Sequence, residues 1–218
     1  MKESKKYSDS QKILGKKRPA QTREETKESN KKQKTEEGVN SKGAQPLMLA
    51  KNWDPVADDP KGWLMSEKLD GVRCFWNGRN MYTRNGNLFY PPDWFKELLP
   101  KNLALDGELW TERDDFQKSV SIVRRQDKNE EWKQITYMVY DAPNLSKDFS
   151  ERLTVIEKTL AQKPSKHVFF HKQVVCKDAE HLDQEMKKVI ALKGEGLMIK
   201  DPKSKYEAKR SKFLLKVK

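Results

Sequence analysis

Large apolar residues are scarce in the first 46 positions of this 218-residue chain and recur at regular spacing in the remainder. From Leu47 onward, alternation with period two and recurrence with period near 3.6 can both be followed, the signatures of half-buried strands and amphipathic helices. Residues 62–67 and 71–77 read as two short strands joined across Leu69-Asp70-Gly71. Asn77-Gly78 then turns the chain into a third strand around Met81-Tyr82-Thr83, giving a meander. Pro92 introduces a short helix, DWFKELL, that Pro100 closes. LALDGELW at 103–110 returns to strand, with Gly107 marking a place where backbones come close. FQKSVSIV reads as helix and ITYMVYDAP, 135–143, as strand. Phe149, Leu153, Ile156 and Leu160, and again Leu182, Met186, Val189 and Ile190, predict two helices that cover a sheet. HVFFHKQVVC at 167–176, GLMIK at 196–200 and FLLKVK at 213–218 complete the strands. Strand runs interrupted by single helices, with tight turns early on, predict an antiparallel α+β domain over 47–218 rather than a wound parallel sheet.

Composition separates the first 46 residues from the rest. They carry 13 Lys+Arg against 7 Asp+Glu and too few apolar residues to offset the entropy of ordering, so a disordered basic tail is expected over 1–46. Within it, Lys16-Lys17-Arg18 and Lys31-Lys32-Gln33-Lys34 stand twelve residues apart, the pattern of a bipartite nuclear import signal, and a nuclear location is expected. Glu24, Glu25, Glu28, Glu36 and Glu37 argue against a mitochondrial transit peptide. The formal net charge of +12 favours a polyanionic partner such as nucleic acid. Cys74 and Cys176 have neither CxxC spacing nor histidine partners at metal-site distance, so buried thiols in a reducing compartment are expected. No window approaches the length of a membrane span, no internal repeat is evident, and glycine-rich loops of the GxGxxG or GxxxxGK type do not occur.

One lysine stands out against this pattern. In SEKLDGVRCFW, Lys68 falls in a strand-like run and is succeeded at once by Asp70 and Gly71. Strand alternation puts Ser66, Lys68 and Asp70 on one face and Glu67 and Leu69 on the other. Taken alone, this is a surface ion pair beside a turn. It gains meaning from a series of residues further along the chain, in this order: Arg73, then Thr83-Arg84-Asn85-Gly86-Asn87, Asp106-Gly107-Glu108-Leu109-Trp110, Tyr137 to Asp141, Glu195-Gly196-Leu197-Met198-Ile199, and Leu214-Leu215-Lys216-Val217-Lys218. The series resembles the ordered motifs of the covalent nucleotidyltransferases, which comprise ATP-dependent DNA ligases, RNA ligases and capping guanylyltransferases. LMLAKNWD, SEKLDGVR, TRNGN, LDGELW, EGLMIK and RSKFLLKVK are most similar to the small ATP-dependent DNA ligases first known from bacteria. The likeness covers 47–218.

The resemblance implies an antiparallel-sheet, ATP-grasp-like adenylation domain in which Lys68 is the nucleophile that carries AMP. An amine attacks only when neutral, and nearby positive charge favours that state. Lys216 and Lys218 would supply such charge and neutralise the α-phosphate. Ser66, Asp70, Arg73, Glu108, Tyr140, Lys216 and Lys218 are expected to bind ATP or AMP, with Tyr140 stacked on adenine, and Arg84 to meet the 5′-phosphate of a nick. Glu108 and Glu195 are the expected ligands of Mg²⁺ or Mn²⁺. Glu67 is expected as a surface charge, His167, His171 and His181 as ordinary surface or strand histidines, and Arg124-Arg125 as a solvated basic pair.

The implied partner is nicked duplex DNA, with no membrane and a monomeric state, in DNA repair, replication or recombination. The resemblance also implies an OB-type barrel after LLKVK that clamps the duplex. The 218 residues do not contain it, so the expected fold lacks the C-terminal OB-fold, and missing sequence or another chain would supply it. An RNA ligase or capping-type enzyme shares the lysine motif. A nick-binding module without turnover is the non-enzymatic alternative, although such a module ought to have lost motif lysines that are all present here.

Overall fold

A computed structural model describes residues 45–218, so the tail read over 1–46 and its two basic clusters lie outside the described residues apart from 45 and 46. The chain runs through β1 (Leu49–Asn52), β2 (Leu64–Glu67), β3 (Val72–Trp76), β4 (Met81–Thr83), α1 (Asp93–Glu97) and β5 (Leu105–Trp110). It continues through α2 (Phe116–Val123), a 3-10 turn at Glu130–Gln134, β6 (Thr136–Asp141), α3 (Phe149–Ala161), β7 (Val168–Phe170) and β8 (Val174–Val175). α4 (Ala179–Ala191), β9 (Leu197–Lys200) and β10 (Arg210–Val217) complete it.

The strands form two five-stranded sheets. Sheet A has the order β1-β10-β9-β2-β8 and sheet B the order β4-β3-β5-β6-β7. Pairing is antiparallel except for β1 with β10 and β6 with β7. The expected α+β class and antiparallel character hold.

The expected meander does not. β3 and β4 form the hairpin read across Asn77-Gly78, with the Asn77 amide donating to the Asn80 carbonyl at 3.1 Å. β2, however, pairs with β9 and β8 in the other sheet and never with β3. A period-two pattern says which face a strand buries and nothing of which strand lies beside it. HVFFHKQVVC likewise splits, β7 going to sheet B and β8 to sheet A. The chain therefore crosses between the sheets at 68–71 and again at 171–173.

Each sheet has its own core. Sheet B packs Trp76, Phe95, Leu105, Leu109, Trp132, Ile135, Tyr137 and Ile156 under α1, α2 and α3, while a smaller cluster of Met65, Leu182, Val189, Leu197, Ile199 and Leu215 joins sheet A to α4. The stripes read for α3 and α4 supply Leu153, Ile156, Leu182 and Val189 to these cores. α3 starts at a capping box, Asp148 with Glu151, and α4 at Asp178, whose carboxylate accepts from the His181 amide at 2.8 Å. Gly107 sits at a close approach, as its place in the strand predicts: a Cβ there would lie 2.5 Å from the Met138 carbonyl oxygen. Both cysteines are buried free thiols.

Candidate active site

The first crossover carries Lys68. β2 ends at Glu67, so Lys68 stands just past the strand, and its amide donates to the Gly196 carbonyl at 2.8 Å. Three residues on, Gly71 passes so close to β5 that a Cβ would meet the Leu109 carbonyl oxygen at 2.5 Å and Glu108 Cγ at 2.8 Å. The crossover is thus pinned to sheet A at one end and sheet B at the other. Ser66 and Glu67 at the end of β2 and Lys68 and Leu69 just past it all border the same cleft of about 400 Å³.

The cleft gathers most of the expected residues: Ser66, Lys68, Arg73, Arg84, Glu108, Tyr140, Lys216 and Lys218 line it. Asp70 and Glu195 do not. Glu195 nevertheless reaches the cleft's lysines, pairing one carboxylate oxygen with Lys68 and the other with Lys218. Burial alone would raise the Glu195 carboxyl, but these two lysines outweigh it and hold it below the ordinary range. Asp70 shifts the other way, raised by burial and by Glu195.

Sheet B supplies the opposite wall. Burial pushes the Glu108 carboxyl up to about 8 against the pull of Arg73 and Lys68, and the Tyr140 hydroxyl donates to it at 3.3 Å. Arg73 lies in a fork with Asp106, at 3.0 and 2.7 Å. Tyr206 adds a third hydrogen bond to Asp106 at 2.8 Å and accepts from the Met48 amide at 3.0 Å. Sheet A supplies a row of directly opposed residues, Ser66 facing Met198 and Met198 facing Lys216. Opposed residues of neighbouring strands share a face, so these three stand side by side along the cleft.

Several residues depart from expectation or carry no sequence motif. Glu67 is not a plain surface charge: it forms a two-point pair with Arg113, both contacts at 2.8 Å. His171 is buried and lines the cleft, its Nε2 bonded at 2.9 Å to the Glu67 carbonyl next to Lys68. His167 is buried against Trp94 with Nδ1 at 3.1 Å from the Ile135 carbonyl. Lys200 and Asp141 also border the cleft and belong to a buried ionic cluster with Arg152. The sequence signal for that cluster is Arg152 itself, three residues after Phe149 and four before Ile156 on an apolar stripe, where a charge needs a partner. Arg125 is held by Asp127 and Glu131 on the surface, in keeping with a solvated pair.

A cleft between two antiparallel-dominated sheets, with a lysine where the chain crosses from one to the other, defines a nucleotidyltransferase domain. The chain belongs to the ATP-dependent DNA ligase family, whose ATP dependent DNA ligase domain matches residues 47–218. A DNA ligase of Haemophilus influenzae is 38% identical over 158 residues, 72% of this chain and 58% of that protein, so the chain spans little more than half the relative's length. Among solved structures, a Lig E DNA ligase described as binding DNA with a minimal scaffold superposes with a TM-score of 0.75 at 31% identity, covering 80% of this chain and 69% of that one. Chlorella virus DNA ligase-adenylate shares the fold, with a TM-score of 0.69 at 23% identity over 80% of this chain and 69% of its own.

Proposed function

We propose that this chain is the adenylation domain of an ATP-dependent DNA ligase and that Lys68 carries the AMP. The observation that supports it most is the position of Lys68 on the intersheet crossover, at a cleft that Lys216, Lys218, Arg73 and Arg84 also border. Lys68 Nζ attacks the α-phosphorus of ATP, a P–N bond forms, the bond to the bridging oxygen breaks, and pyrophosphate leaves. A 5′-phosphate oxygen at a nick then takes the AMP from the lysine. Finally the 3′-hydroxyl attacks that phosphate and expels AMP.

The roles rest on chemistry. Phosphoryl transfer depends on positioning and charge neutralisation, which Lys216 and Lys218 offer the triphosphate and Arg84 the nick's phosphate. Tyr140 presents a ring face for the adenine, Ser66 stands at the base edge, and Arg73, oriented by Asp106, serves the ribose. Asp70 stands on the crossover beside Lys68, outside the cleft's lining. Lys68 must leave Glu195 before its lone pair is free to attack.

Among the described residues no cluster of three or more His, Cys, Asp or Glu side chains could hold a metal by itself. That suits an ion shared between one or two carboxylates and phosphate oxygens. Glu108 and Glu195, both within electrostatic reach of Lys68, would hold it. Mg²⁺ or Mn²⁺ bound there would neutralise charge on the phosphates.

The expected result is a protein whose intact mass rises by one AMP on incubation with ATP and Mg²⁺, with Lys68→Ala showing no adduct, and which seals nicked duplex DNA. If a chain extended by a C-terminal barrel forms no adduct, the reading is wrong. Preference for a nicked RNA duplex would make it an RNA ligase, and labelling by GTP a capping-type enzyme. Nick sealing would place the protein in DNA repair, replication or recombination, as a monomer on DNA. The clusters at 16–18 and 31–34 support a nuclear address. A fusion of residues 1–46 to a fluorescent protein that stays outside nuclei would remove that address.

A further inference from the structure

The second crossover, between β7 and β8, sends two side chains to the cleft, His171 and Gln173. Neither belongs to the motif series, and the chemistry proposed above uses neither. Their hydrogen bonds fix what each can offer a ligand. His171 Nε2 is 2.9 Å from the Glu67 carbonyl oxygen, which can only accept, so Nε2 carries the proton. Gln173 Nε2 donates to the His171 carbonyl at 3.1 Å. The opposite amide orientation would set oxygen against oxygen, so this contact also fixes the flip. The Gln173 amide oxygen is left with no hydrogen-bond partner among the described residues, on a side chain that borders the cleft.

The sheet register says where that acceptor stands. β2 and β8 run antiparallel, with Leu64 opposite Val175 and Met65 opposite Val174. Extending the register by one residue sets Gln173 opposite Ser66. Ser66 faces Met198, and Met198 faces Lys216. One row thus crosses the strands in the order acceptor, hydroxyl, apolar side chain, cation, over three interstrand spacings or about 14 Å. A nucleoside phosphate has the same order: a polar base edge, an apolar base face, and an anionic phosphate. With the phosphate at Lys216, the base edge falls at Ser66 and Gln173.

We propose that Gln173 selects the base, its amide oxygen accepting a hydrogen bond from the 6-amino group of adenine and opposing the 6-oxo group of guanine. The inference rests on the cleft being the nucleotide site. A 6-amino group donates where a 6-oxo group only accepts, so a fixed acceptor separates the two purines more sharply than an apolar wall could.

A chemical double-mutant cycle tests it. ATP is compared with purine riboside 5′-triphosphate, which lacks only the 6-amino group, on the wild-type chain and on Gln173→Leu. Both adduct formation and equilibrium binding are measured. Wild type should favour ATP by about tenfold, the worth of one neutral hydrogen bond, and Gln173→Leu should treat the two alike. The preference for ATP over GTP should narrow in the same variant. Gln173→Met, with an unbranched side chain of similar length, gives a second reading if the leucine variant does not fold. A wild type that binds both nucleotides equally, or a Gln173→Leu or Gln173→Met chain that keeps the full preference, overturns the proposal. If binding distinguishes the two but no adduct forms with either, even on a chain extended by a C-terminal barrel, the assignment of Gln173 survives and the ligase reading fails.

Discussion

Asp141 and Glu195 are each clasped by two cationic side chains, and the two clasps differ chiefly in their access to water. Asp141 is held by Arg152 and Lys200, and the three side chains are 2%, 0% and 7% exposed. Glu195 is held by Lys68 and Lys218, with exposures of 25%, 24% and 52%. Desolvating ions is expensive, and a buried set persists only when each polar atom is matched. The Asp141 set meets that demand. Its Oδ1 takes Arg152 Nε at 2.7 Å and the Ala142 amide at 2.8 Å, and its Oδ2 takes Lys200 and Arg152 Nη2. Arg152 Nη1 donates to the Lys147 and Ser204 carbonyls, and the Lys200 ammonium rests 4.3 Å from the Phe149 ring centre. The set ties β6, α3 and β9 together, across both sheets, with Asp141 and Lys200 bordering the cleft. The Glu195 clasp has none of this enclosure. Its lysines can exchange a carboxylate for a phosphate at little cost, which suits the proposed role of Lys68 as a nucleophile that changes partners.

The largest effect expected from this contrast is on stability. Asp141→Ala should cost about 3–5 kcal/mol in urea unfolding, because it leaves two cations buried without their anion. A loss under about 1 kcal/mol, the size of an exposed pair, would mean that water reaches the cluster and that the comparison is false.

Acidification sharpens the same point. Burial alone would push the Asp141 carboxyl up, but Lys200 and Arg152 outweigh it and hold it below an ordinary aspartate. A carboxyl lowered on folding stabilises the protein fully above its unfolded-state value of about 4 and loses that contribution as pH falls through the lower folded-state value. The stability gap between wild type and Asp141→Asn should therefore be widest at neutral pH and close on acidification below about 4. A gap that stays constant down to about pH 3 would show that folding does not lower the Asp141 carboxyl, and a gap that widens on acidification would show that Asp141 is protonated in the fold.

Much of the architecture is legible in residue spacing, because apolar periodicity reports which face of an element is buried. The stripes of α3 and α4 and the strands around Leu105, Val139 and Ile199 all emerge in this way. Pairing is not legible: β2 and β3 are separated by four residues yet join different sheets, since nothing local tells a crossover from a hairpin. Lys68, Arg73, Tyr140 and Lys216 are readable as a constellation only through the order of the motifs. Asp141, Arg152, Lys200 and His171 escape because their partners lie 11 to 104 residues away, and Gln173 because its partner is a main-chain carbonyl. A charged residue on an apolar helical stripe announces that a partner exists without naming it.

The smallest stability effect should come from the exposed clasp. Glu195→Gln removes the charge that Lys68 and Lys218 share, but water can solvate both lysines, so the unfolding free energy should change by no more than about 1 kcal/mol. Adduct formation is where this variant should show its defect, because Glu195 pairs with Lys68, the proposed nucleophile, and is the proposed metal ligand. Measured beside Asp141→Asn, the pair gives a crossed pattern: one variant loses stability and the other loses chemistry. A Glu195→Gln protein that unfolds several kcal/mol more easily would place Lys68 in a structural ion cluster of the Asp141 kind. Such a cluster would hold Lys68 too firmly for it to reach a phosphate.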